Sequence, residues 1–246
     1  MDKQLRREER KLLSNGGDIA GKASLLYIKL KSGQTTLDRI QDAAAFNDPV
    51  ALQFLGEGRA TLKEFLRYMK KQNKRFAIEV CIIVCRDVYP IYHNFMWGSS
   101  ESSEQRAIGV VNESDRDHVS CLVEAPLSAI SSLENYLSDS STRPGLEVQC
   151  HMLGQITEVV SDTIVGAQTE QIKLWDPSKA GLLALNSILR ATCAGSGKKR
   201  SKWASNVAKC IKDAVNAVAS QSGCSQDTAF DRITGEINVG LFGDLI

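Results

Sequence analysis

The chain has 246 residues, 43% of them hydrophobic and 24% charged, and a formal net charge of +1. That is the composition of an ordinary globular protein, long enough to bury a full core as one large or two small domains. A total charge so near zero excludes any partner class argued from a global field, so only local clusters carry that information.

The N-terminal MDKQLRREERKLL lacks the apolar core of a secretion signal, and the longest apolar run, around Phe76 to Val84, is too short for a bilayer and carries Glu79. The seven cysteines (81, 85, 121, 150, 193, 210 and 224) are odd in number and irregular in spacing. Together these features lead to an expectation of a cytoplasmic protein with reduced, mostly core-filling thiols and no disulfide framework.

Along the chain, residues 2–14 suit a short solvated helix ending at Asn15-Gly16-Gly17. Asp18 caps a second through Leu25, Leu26 and Ile28 to Lys31, stopped by Gly33. LLYIKL within it also fits a strand, but the caps at both ends favour helix. Thr35 or Thr36 starts TTLDRIQDAAAF. Asp48-Pro49 is a cap carboxylate followed by proline at the first helical position, and opens a short helix that stops at Gly56 or Gly58. Thr61 opens the next, with Leu62, Phe65, Leu66 and Met69 at helical spacing. Residues 75–96 are apolar nearly all round and read as a central buried helix, with Pro90 expected to kink or break it near Tyr89. Gly98 to Ser103 is a loop, and Ser102 or Ser103 caps a helix through Ile108 and Val111.

The second half places helical spacing over 115–138, interrupted by Pro126, then a candidate linker at 139–145 (DSSTRPG). Helices follow at 146–166, 169–193, 201–221 and 225–235, with the apolar tail INVGLFGDLI docking on the body. The expected fold is all-α, a stacked or repeat-like bundle of about ten helices. Its division is 1–138, linker 139–145 and 146–246, or one continuous domain.

Two blocks carry a resemblance. GGDIAGKASLLYIKLKSGQTTLDRIQDAAAFNDPVALQFLG, and RFAIEVCIIVCRDVYPIYHNF followed by SSEQRAIGVV, resemble a group of all-helical bacterial proteins of unknown function, some labelled immunity proteins. Ser103 to Gln105 lack the proline usual in that group, and the group's alanine-rich C-terminal helices are only loosely echoed at 203–219. The resemblance covers about half the chain, mainly 17–112. It implies a helical fold and carries over no characterised catalytic residue.

Chemical motifs are incomplete. Ala194 to Ser201 (AGSGKKRS) has Thr192 where a phosphate loop needs glycine and Lys199 where it needs Ser or Thr. His93, His118 and His151 are scattered. Cys81 and Cys85 lie one turn apart among apolar residues with no third ligand. Cys150 and His151 diverge on a helix, and Asp115-Arg116-Asp117-His118 reads as capping and solvation. No catalytic residue, metal ligand or cofactor is expected.

Basic clusters say more. Arg59, Lys63, Arg67, Lys70, Lys71, Lys74 and Arg75 outnumber Glu57 and Glu64, and 63, 67, 70, 71 and 74 fall on one helical face opposite the apolar residues. Lys198, Lys199, Arg200 and Lys202 form a second cluster. Each alone matches a solvated helix face. Brought together they would make a surface for phosphates or an acidic protein, and Lys63, Arg67, Lys70, Lys71, Lys74, Lys198, Lys199 and Arg200 are the candidate binding residues. The expected function is non-enzymatic binding of a macromolecule, in its most specific form an immunity-type protein that binds and blocks a cognate toxin. The alternative is nucleic-acid binding through the two clusters. An enzyme assembled from distant residues would need a deep pocket holding a perturbed acid or thiol.

Overall fold

The computed structural model describes residues 41, 44–45, 47–54, 60–97, 116–168 and 176–242. The helices expected over 2–31 and 102–111, and the start at Thr35 or Thr36, lie outside these. Eight α-helices and one short 3-10 helix are found among the described residues, and no strand. The all-α class therefore stands, and the count of about ten is corrected to eight for this part of the chain.

Two compact units are present, 1–60 with 244–246, and Thr61–Gly243. In the first, Asn47 takes a left-handed conformation (φ 56°) that closes a turn with its N–H on the carbonyl of Ala44. An Asn tolerates that region better than most residues. Asp48 then caps α1 (Pro49–Phe54), its Oδ1 accepting from the amides of Val50 at 2.9 Å and Ala51 at 3.1 Å. Proline at the first position loses nothing there.

The second unit holds α2 (Leu62–Lys71), α3 (Lys74–Trp97), α4 (Arg116–Ser138), the 3-10 turn Ser140–Thr142, α5 (Arg143–Gln168), α6 (Asp176–Ser196), α7 (Arg200–Ser222) and α8 (Gln226–Phe242). Helix α6 packs against α3, α4, α5 and α7, and α3 against α4, α6, α7 and α8. Small residues allow this density: Ala180, Gly181, Ala184, Ala191, Ala194 and Gly195 are all buried on α6. At Gly195 a Cβ would lie 2.7 Å from Leu133 and 2.8 Å from Leu146, so α4 and α5 approach the backbone itself.

Pro90 does not break α3, which runs unbroken from Lys74 to Trp97 with the proline on its exposed side. Pro126 is likewise inside α4 and does not interrupt it. Proline frees the carbonyl four residues earlier. For Pro126 that is Leu122, whose oxygen accepts from the Tyr92 hydroxyl of α3 at 3.0 Å.

Residues 139–145 lie within the second unit. Asp139 accepts from the amide of Ser141 at 2.9 Å and its hydroxyl at 2.6 Å, and α5 begins at Arg143. The tail expected to dock is helical through Phe242, with Ile237 fully buried and Gly240 seated on Ile83.

One cysteine pair departs from expectation. Cys150 of α5 and Cys193 of α6 are joined by a disulfide, with Cα atoms 5.7 Å apart. The all-thiol reading is corrected at this pair: 43 residues separate them, and only the antiparallel packing of α5 on α6 reveals the approach. Cys81, Cys85, Cys121, Cys210 and Cys224 are free.

Candidate macromolecule-binding surface

Thr61 and Glu64 start α2 with a reciprocal capping box. The Glu64 amide donates to Thr61 Oγ1 at 3.3 Å, and the Thr61 amide to Glu64 Oε2 at 2.8 Å. These bonds from Thr61, with Arg67 nearby, hold the Glu64 carboxyl below its usual range. The acid is thus committed to the cap. Phe65 and Met69 are buried, each worth roughly 1.5–3 kcal/mol. Their burial fixes which side faces out: Lys63, Arg67, Lys70 and Lys71 are exposed.

Lys74 does not share that face. Helix α2 ends at Lys71, Gln72 is extended, and Asn73 starts a new helix by accepting from the Phe76 amide at 2.9 Å. Lys74 is half-buried in the first turn of α3. Its Nζ donates to Tyr136 Oη (3.0 Å), to the carbonyl of Gly195 (2.6 Å) and to that of Gly197 (3.0 Å). It also lies 4.9 Å from the Tyr136 ring centroid. Three donors meet three acceptors, so this ammonium serves the fold. It covers the negative end of α6, as does Arg143, which donates to the carbonyl of Ser196 through Nε (3.0 Å) and Nη2 (2.5 Å).

The second cluster follows immediately. Lys198 and Lys199 are exposed in the α6–α7 connection, and Arg200 and Lys202 are exposed in the first turn of α7. Arg200 Nη2 donates to the carbonyl of Lys71 at 2.8 Å, 129 residues away in sequence. That bond, with Lys74 reaching Gly195 and Gly197, joins the two clusters into one corner. No Asp or Glu occurs in 65–78 or in 194–212.

Two further features define the chemistry. The first turn of α7 contains no acid, and no side chain caps its start. Cations at the positive end of a helix are unfavourable by about 0.3–1 kcal/mol each, a cost that a bound anion relieves. Among the described residues no fully exposed large apolar side chain stands at the corner, and Tyr68 of α2 is half-buried. Trp203 is 6% exposed, and the exposed large apolar residues among those described are Leu127, Val148, Val159 and Val239.

The other motifs fall into structural roles. The glycine-lysine run 194–201 follows a helix instead of a strand. Cys81 and Cys85 face Cys210 and Ser187 in the core, with Ser187 Oγ 3.0 Å from the Cys210 carbonyl. Hydrogen bonding to Cys210 and burial push the Cys81 thiol up, and burial foremost does the same for Cys85. Cys150 is in the disulfide beside an exposed His151. Among the described residues no three of His, Cys, Asp and Glu are arranged to hold a metal ion. A groove of about 530 Å³ at the α7–α8 turn is lined by Lys179, Leu183, Asn216, Ser220, Cys224 and Gln226, and does not include the buried thiols. No helix among the described residues is long and apolar enough to cross a membrane.

Protein-family models, curated proteins and solved structures contain no match to this chain.

Seven of the eight candidate cations stand at exposed positions, and Lys74 does not. The missed signals were the Gln72-Asn73 helix break and the Arg200–Lys71 bond, of which the first was available from Asn73 as a cap.

Proposed function

We propose that this chain is a non-enzymatic binding protein that docks double-helical nucleic acid by its phosphate backbone on the corner formed by Lys63, Arg67, Lys70, Lys71, Lys198, Lys199 and Arg200. The observation that carries this reading is the Arg200–Lys71 bond, which joins two sequence clusters into one cationic surface on which the acid beside Lys63, Glu64, is engaged in the α2 cap. Lysine-rich surfaces without buried anchors are depleted in what protein interfaces use, while phosphates need only cations at spacing. The burial of Trp203 removes a stacking platform for single strands.

The test is a titration of a short DNA or RNA duplex across a salt series. With about six phosphates engaged, log K falls with log salt at a slope near −5. Charge reversal at Lys70, Lys71 and Lys199 lowers both affinity and slope. Absent or salt-insensitive binding rejects the reading.

A second reading keeps the immunity-type expectation. Leu127 and Val148 are exposed on α4 and α5, close to where Gln149 Nε2 donates to Ser128 Oγ at 3.2 Å. Exposed apolar side chains on adjoining helices favour a protein partner such as a toxin. A stoichiometric protein partner retained at high salt and lost in a Val148→Asp variant would support it.

A further inference from the structure

We propose that the Cys150–Cys193 disulfide is a redox-sensitive tie that sets the anion affinity of the basic corner. The proposal rests on reading that corner as a nucleic-acid surface. Cys193 lies in the last turn of α6, one turn before the cationic connection. Its own carbonyl accepts from the Gly197 amide at 3.1 Å and from Ser196 Oγ at 3.3 Å, so the bonded residue also closes the turn that launches Lys198 and Lys199. The neighbouring carbonyls of Gly195, Ser196 and Gly197 are held by Lys74 and Arg143. The same short turn is therefore tied to α5 by sulfur and to α3 and α5 by cations, and it fixes where the second cluster meets the first.

Both bonded cysteines are half-buried, whereas the free Cys81, Cys85 and Cys210 are buried. Reduction consumes two molecules of a low-molecular-mass thiol such as glutathione. A thiolate attacks one sulfur, breaking the S–S bond and forming a mixed disulfide. A second thiolate releases the protein sulfur, and the protons end on Cys150 and Cys193 while the two small thiols leave as their own disulfide.

The experiment uses the full chain, oxidised and glutathione-reduced, with a Cys150→Ser/Cys193→Ser variant as the permanently open form. Duplex affinity is read by anisotropy at fixed salt, and amide exchange over 193–203 by mass spectrometry. Reduction is expected to weaken duplex binding about fivefold, the low end of coupling between linked sites. It should also speed exchange in this segment, with the double variant matching the reduced chain and ignoring thiol. Faster exchange on reduction without duplex binding in either form would reject the nucleic-acid reading while leaving the tie in place. Equal exchange and equal affinity in the two forms would overturn the proposal, as would a thiol response that persists in the double variant.

Discussion

Tyr92 donates its hydroxyl to the carbonyl of Leu122, the oxygen that Pro126 leaves without an amide. One helix supplies the partner that another has lost to proline, and Tyr92 is fully buried for the purpose. Burial pushes the phenol well above its usual range, so it remains a donor throughout the working pH range. Tyr92→Phe removes the donor of a part-buried carbonyl and should cost about 1 kcal/mol in urea unfolding. In a Pro126→Ala background the carbonyl regains an amide, and the Tyr92→Phe penalty should shrink. Equal penalties in the two backgrounds would refute the coupling.

Lys74 gives the second prediction. Lys74→Met keeps the apolar stem but strips two helix-end carbonyls and the Tyr136 hydroxyl of their donor, and should destabilise by about 2–4 kcal/mol. Lys70→Met, on the exposed face, should stay within about 0.5 kcal/mol. Chemical denaturation of both variants checks this. Comparable losses would show that Lys74 is not a structural cation.

Asp213 supplies a pH signature. Burial foremost raises its carboxyl to about 6, against the opposing pull of Arg190, Lys212 and Lys209. A raised acid prefers its protonated form in the folded chain, so its ionised form detracts from stability above about pH 6, and that loss is relieved as pH falls towards the unfolded value near 4. Asp213 remains partly open to solvent, which screens the effect. Asp213→Asn should therefore stabilise the protein at pH 7 by about 1 kcal/mol, with the gain fading between pH 6 and 4. Melting curves at pH 7 and 4.5 decide it, and a loss of stability at both values would contradict the sign.

Helix starts were the most legible part of the sequence, because a cap is a local bond. Asp48-Pro49 and Thr61 open helices where their chemistry requires. Breaks were harder. Periodicity carried Lys74 onto the α2 face because 3.6-residue spacing counts through Gln72 and Asn73 as though the helix continued. Pro90 and Pro126 read in sequence as interruptions, yet α3 and α4 run through them, and the donor that serves the carbonyl freed by Pro126 lies 30 residues from that carbonyl in the chain. The disulfide and the Arg200–Lys71 bond were illegible for the same reason: both depend on which helices become neighbours.

The basic corner also has a birth date. Its two halves are joined by contacts spanning 121, 123 and 129 residues, so a chain still being synthesised carries the first cluster long before the second exists. Until the ribosome has released α7, the α2 lysines have only their own weak, local field. The surface is completed late, only once the residues of α7 have joined those of α2 and α3.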